Sequence, residues 1–145
     1  MQAQVNNIGG VFVTPNGEVF FVDEGNDRVR KILRTGETVT ICGTGIAGYN
    51  GDDQPATQAQ LDRPSSVFVS SRNEIYISES NGHRIRKIQT NGNIVTVAGT
   101  GIEGYNGDGQ LATNTELSFP WFVTVANDEV YIADLSRIRK ILEKY

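Results

Sequence analysis

The chain holds one cysteine, one histidine, one methionine and one tryptophan in 145 residues. A lone thiol, Cys42, excludes a disulfide within the chain. Its place in the apolar run 38–42 predicts a buried and unreactive sulfur. With His83 as the only histidine, one chain cannot assemble a zinc site of the usual His and Cys count. Positive charge is not in excess, since 13 Lys and Arg stand against 17 Asp and Glu, a net charge of -4. That balance argues against a surface built for nucleic-acid phosphates. No apolar run approaches the about 20 residues of a membrane-spanning helix. The start, MQAQVNNIGG, carries neither the basic patch nor the apolar core of a signal peptide, and nothing in the sequence assigns a compartment. No G-x-S-x-G elbow is present to seat a serine nucleophile.

Glycine, by contrast, is plentiful at 16 residues, and its positions disclose a repeat. Residues 43–52 read GTGIAGYNGD and residues 99–108 read GTGIEGYNGD, differing only at Ala47 against Glu103. The same offset aligns the surroundings without a gap. Arg28-Val29-Arg30-Lys31-Ile32 falls on Arg84-Ile85-Arg86-Lys87-Ile88, and Thr38-Val39-Thr40-Ile41 on Ile94-Val95-Thr96-Val97. A fixed period of this size marks a propeller, a solenoid or an array.

Within each period the pattern is that of short strands and tight turns. Val11-Phe12-Val13 runs into Asn16-Gly17, a strong hairpin signal. Strands are predicted over 11–13, 18–22, 28–33 and 38–42, then 66–69, 74–78, 84–89 and 93–98, then 121–125, 129–133 and 137–142. The run Val19 to Val22 does not alternate, so that strand is expected to be covered on both faces. The reading is one all-β domain over 1–145 with four-stranded antiparallel units at about 9–43 and about 65–99 and a partial one at about 120–145 that lacks its outer strand. A long connector links the units, and Tyr49, Tyr105, Leu61 and Leu117 are expected to pin it to the body. The free edge left at 137–142 is guarded by Arg137, Arg139, Lys140 and Lys144.

The segment Ile75-Tyr76-Ile77-Ser78-Glu79-Ser80-Asn81-Gly82-His83-Arg84-Ile85 resembles the strand, acid, loop and Asn-His-Arg-hydrophobe core of NHL repeats. Val130-Tyr131-Ile132-Ala133-Asp134 is similar to the strand-plus-Asp part of the same pattern. The sequence departs from it where Asn81-Gly82 reverses the usual order, where Asp27 replaces the common His, and where the third copy lacks the Asn-His pair. The resemblance implies a β-propeller, usually of six blades and used mostly for binding. Some relatives of that kind bind RNA, and others are lyases or hydrolases that rely on several metal ligands in the channel. Three blades cannot close a ring, because propellers have four to eight. Two copies related by a two-fold axis would supply six. A homodimer is therefore expected, unless the chain is an excerpt of a longer propeller.

Three constellations recur. The acid–arginine pairs Asp23 with Arg28, Glu79 with Arg84 and Asp134 with Arg137 flank the turn between the second and third strands, and a structural role is expected for them. A basic stripe through Arg28, Arg30, Lys31 and Arg34 and its copies puts alternate cations on one face. The acidic turns Asn50-Gly51-Asp52-Asp53 and Asn106-Gly107-Asp108-Gly109 lack the spaced acids of a calcium loop and read as solvated turns. The functional expectation is a non-enzymatic scaffold for a protein or peptide, with no cofactor and no metal. Its contacts are placed on the strand 2–3 turns (Glu24, Asn26, Ser80, His83) and on the connectors (Tyr49, Asn50, Tyr105, Asn106). A metal-dependent lyase or hydrolase, an RNA-binding module, and a propeller fragment with no ligand of its own are the alternatives weighed.

Overall fold

The computed structural model describes residues 4–142. Each repeat folds as one antiparallel sheet. The first contains β1 (Ile8–Val13), β2 (Val19–Asp23), β3 (Arg28–Ile32) and β4 (Thr38–Cys42), paired in chain order. The connector then contributes β5 (Gln54–Pro55). The second sheet holds β6 (Pro64–Val69), β7 (Ile75–Glu79), β8 (Arg84–Ile88) and β9 (Asn93–Ala98), and the third β10 (Pro120–Ala126), β11 (Glu129–Asp134) and β12 (Arg137–Leu142). The third sheet has no fourth strand among the described residues, as expected. Lys144, offered as an edge charge, lies outside them.

The hairpins form for the reasons the turns suggested. Thr14 N donates to the Glu18 carbonyl at 2.9 Å and Gly17 N to the Thr14 carbonyl at 2.8 Å, with Gly17 at φ 84°. One strand was not anticipated. Gln54 and Pro55 pair with Ile94 and Asn93 of β9, which makes the second sheet five-stranded. Two residues in a polar stretch carry no alternation, and proline is tolerated there only because the pairing lies at the sheet edge.

The core is two apolar layers between the three sheets. Phe20, Val22, Val29 and Cys42 of the first sheet meet Val67, Ile77, Ile88 and Ile94 of the second, with Leu61 of the connector sealed among them. Tyr76, Ile85 and Ala98 on the opposite face of the second sheet meet Val123, Val130 and Ile132 of the third, with Leu117. Successive residues of β7 thus serve different layers, which is why its apolar run does not alternate. Leu61 and Leu117 pin the two connectors, as expected. Cys42 is fully buried, and burial pushes its thiol up to about 12, so it is held as a thiol.

The outer faces of the first and third sheets are left open. Val11 and Val13 are 59% and 57% exposed, although their counterparts Val67 and Val69 in the middle sheet are buried. On the third sheet, Phe122 is 53% and Ile138 85% exposed, whereas Ile85, the counterpart of Ile138, is fully buried.

Candidate functional site

The repeated connector is a packed device rather than a loose loop. Gly43 and Gly99 sit at φ 96° and 92°, where a Cβ would overlap the carbonyl oxygens of Asp27 and His83. Two residues on, Gly45 and Gly101 leave room for the guanidinium groups of Arg28 and Arg84, which donate to the Thr44 and Thr100 carbonyls at 2.8 and 3.0 Å. These contacts account for the invariance of GTG between the copies. Gly99→Ala is expected to cost more than about 2 kcal/mol, combining a strained φ with a backbone clash. A denaturant midpoint within error of the parent would contradict this.

Further along, Asn50 organises the loop around itself. Its Nδ2 donates to the Gln58 carbonyl at 2.9 Å, while its Oδ1 accepts from Gln60 N at 2.8 Å and Gln54 Nε2 at 3.0 Å. Asn106 repeats this with the Asn114 carbonyl, Glu116 N and Gln110 Nε2. The effect is to fix a Tyr-Asn-Gly-Asp tip that reaches the next blade. The Tyr49 ring lies under the Arg84 and Arg86 guanidinium groups, 4.0 and 4.9 Å from its centroid. Arg86 Nη2 donates to the Gly51 carbonyl and to Asp52 Oδ1, both at 3.0 Å. Asp52 also accepts from Thr96 N at 3.0 Å and Thr96 Oγ1 at 3.1 Å. In the following connector Tyr105 lies under Arg137 and Arg139, and Arg139 Nη2 meets Gly107 O and Asp108 at 3.0 and 2.7 Å.

The acidic turns are therefore not simply solvated, which corrects that expectation for Asp52. Its carboxylate is 29% exposed and bolted to the neighbouring sheet. Asp108 is 70% exposed, and no fourth strand among the described residues stands beside β12 to supply the counterpart of Thr96. The Tyr105 hydroxyl and Arg139 hold its carboxyl below the usual range, and the same hydroxyl contact raises the Tyr105 phenol. Among the described residues, no group of three or more His, Cys, Asp or Glu side chains is gathered in a way that would hold a metal ion.

The acid–arginine pairs exist with a different arginine. Asp23 takes Arg30 at 3.0 Å, Glu79 takes Arg86 at 3.4 Å and Asp134 takes Arg139 at 3.6 Å. Arg28, Arg84 and Arg137 lie directly opposite the acids in the strand register. A long guanidinium overshoots a carboxylate directly opposite it and reaches the diagonal one. The near arginine is drawn to the connector instead. Each acid also accepts a backbone N–H from the segment entering the inner strand: Asn6 and Asp62 at 2.8 Å, and Ser118. Glu79 is fully buried, and burial pushes its carboxyl up to about 7 against the opposing pull of Arg86 and the Asp62 amide.

Of the turn residues proposed as contacts, Ser80 is buried and its hydroxyl donates to the Arg63 carbonyl, so it cannot meet a partner. Asn26 Nδ2 donates to both Asp23 oxygens, at 2.9 and 3.0 Å, and Glu24 is bonded to Arg63 at 2.6 Å. His83 accepts at Nδ1 from Phe119 N at 3.3 Å, with its ring on the Phe119 edge. Asp27 does the same for Arg63 N at 2.9 Å, and both sit at left-handed φ, 48° and 49°. His and Asp are thus alternative acceptors in one joint, which explains the exchange between repeats. Accordingly His83→Ala should cost about 1–2 kcal/mol, and His83→Asp should restore at least half. Equal losses in the two variants would remove this role. The lysines of the basic stripe are also paired: Lys31 with Glu18, Lys87 with Glu74 at 3.3 Å and Lys140 with Glu129 at 3.0 Å. Arg86 is fully buried, and Arg30 and Arg139 turn to Asp23 and Asp134, so these members of the stripe fasten the sheet internally, while Arg34, Arg137 and Lys140 are exposed.

Thr96 escaped the sequence reading, and Asp52 was placed there only in a solvated turn. The available signal was the repetition of Asp52 at Asp108 and of Thr96 at Thr40 at the common offset.

The Teneurin NHL domain family matches residues 33–143. NHL repeat-containing protein 2 from Gallus gallus is 32% identical over 122 residues, covering 82% of this chain and 16% of that protein. Among solved structures, a structural genomics protein from Bacteroides thetaiotaomicron VPI-5482 superposes with a TM-score of 0.76 at 21% identity, over 86% of this chain and 32% of that one. A streptogramin B lyase does so at 0.62 and 16% identity, over 93% of this chain and 37% of that one. At these identities the structures speak for the fold alone. The chain spans about a sixth of the NHL protein and about a third of the solved chains it matches. Three consecutive blades, the acid-and-arginine joint at the turn between strands two and three, and the family match lead to one conclusion: the chain belongs to the Teneurin NHL domain family and is an NHL-repeat β-propeller module.

Proposed function

We propose that the chain is a non-enzymatic recognition module that completes its ring with a second copy and then presents a surface to a protein or peptide. The observation that carries this is the pair of open apolar faces. Val11 and Val13 on the first blade and Ile138 on the third occupy places that are apolar contacts between neighbouring blades, and Phe122 adds an exposed aromatic ring where the middle blade has Ser66 bonded to the next blade. Two copies of three blades each make six, and a two-fold arrangement sets the third blade of each against the first of the other. The recognition surface falls on the connectors rather than the strand 2–3 turns, whose side chains are occupied within the chain. There Ile46 and Ile102 are 62% and 63% exposed beside half-exposed Tyr49 and Tyr105, in the same pose twice.

Small-angle scattering tests the ring. A closed pair of chains should give a radius of gyration of about 19 Å, the value for a compact body of that combined length. A value of about 15 Å, that of one compact chain, would contradict it.

A further inference from the structure

Blade 1 carries the receptor for a connector tip and has none bound to it among the described residues. In the occupied copy, the receptor consists of Arg84 and Arg86 on β8 and Thr96 on β9, together with the Ile94 carbonyl, which accepts from Asp53 N at 2.9 Å. The ligand is Tyr49-Asn50-Gly51-Asp52-Asp53. At the common offset the same groups stand on β3 and β4 as Arg28, Arg30, Thr40 and Thr38. Their backbone placement matches, because Arg30 pairs with Thr40 as Arg86 pairs with Thr96.

The differences between the two copies lie in what is unoccupied. Arg86 divides its guanidinium between Glu79 and the incoming Gly51 and Asp52. Arg30 turns Nε and Nη2 to Asp23, which leaves Nη1 without a partner among the described residues. Arg28 keeps its anchor on the Thr44 carbonyl at 2.8 Å, as Arg84 does on Thr100, but no aromatic ring from the described residues lies over it. No carboxylate from the described residues reaches Thr40, whereas Thr96 gives both its N–H and its hydroxyl to Asp52.

We propose that the outer edge of blade 1, formed by Arg28, Arg30, Thr38 and Thr40, is a binding site for a Tyr-x-Gly-Asp loop, an aromatic side chain followed by a carbonyl and a carboxylate. The aromatic ring stacks under the two guanidinium groups. The glycine carbonyl and the carboxylate take Arg30, and the carboxylate also takes the Thr40 N–H and hydroxyl. The following N–H donates to the Thr38 carbonyl. Charge complementarity selects an acidic segment, and the paired donors on Thr40 select a carboxylate over an amide. The occupant is a loop of this chemistry. The two keys in this chain, 49–52 and 105–108, already engage their own neighbours.

The test is a titration of the isotopically labelled chain with a synthetic peptide of the sequence 46–61, followed by amide shifts. Saturable shifts centred on Thr38–Cys42 are expected. A peptide with Asp52→Asn or Tyr49→Ala should bind at least tenfold more weakly, as should the parent peptide to chains carrying Arg28→Gln or Thr40→Val. Arg28 and Thr40 are chosen because neither holds the buried Asp23. No saturable shifts up to about 1 mM peptide, shifts centred elsewhere, or equal binding by the Asp52→Asn peptide would overturn the site. A monomeric chain that binds the peptide rejects the two-copy ring and keeps this site, and a dimer that ignores the peptide does the reverse.

Discussion

Arg86→Met should destabilise the chain by about 3–5 kcal/mol at pH 8, the cost of stripping one partner from a buried ion pair. Arg86 is fully buried between Glu79, Asp52 and the Tyr49 ring, so its loss removes the counterion of a buried carboxylate and the anchor of the connector together. The cost depends on pH in a defined direction. Glu79 has its folded value raised to about 7 by burial. A group raised on folding contributes stability that is fully present below its unfolded value and is lost as pH rises through the folded one. The parent should therefore lose stability from this group between about pH 4.5 and about pH 7. In Arg86→Met the carboxyl escapes by staying protonated, so the variant should be penalised less at pH 5 than at pH 8. Glu79→Gln should flatten the same slope, since the amide still accepts from Asp62 N. Denaturant unfolding at fixed protein concentration, with pH as the variable, reads all three. A penalty for Arg86→Met that is independent of pH would separate Arg86 from Glu79 energetically.

Ile138→Asp should abolish self-association while leaving the fold of the single chain intact. At 85% exposure Ile138 contributes little to its own blade, and its counterpart Ile85 is buried between blades. Placing a carboxylate on that face would bury an unpaired charge on association. A loss of at least about 100-fold in dimer affinity is expected, about 2.7 kcal/mol. Ile46→Asp is the control, since Ile46 is equally a large exposed apolar residue but lies on the connector. Loss of the dimer in both variants, or in neither, would place the contact elsewhere.

The strands were legible because turn residues and apolar runs are local signals, and repetition checked each reading against a second copy. Leu61 and Leu117 were legible as lone apolar residues in a polar connector. The partners of Asp23, Glu79 and Asp134 were not, since spacing along the chain identifies the opposite arginine and side-chain length selects the diagonal one. Nor was the fate of Asp52, which depends on Thr96, 44 residues away on β9. Ser80 looked like an exposed turn residue, but the turn folds inward so that its hydroxyl meets the Arg63 carbonyl. For Asp52 a contact with the following blade decided the outcome, whereas for the acids it was side-chain reach within a single sheet.

The most direct measurement of the central claim is the solution mass of the parent chain by light scattering over a concentration series. The account predicts a species near twice the chain mass of 15.9 kDa, dissociating on dilution. A well-folded species that stays at 15.9 kDa across the series would contradict the two-copy ring.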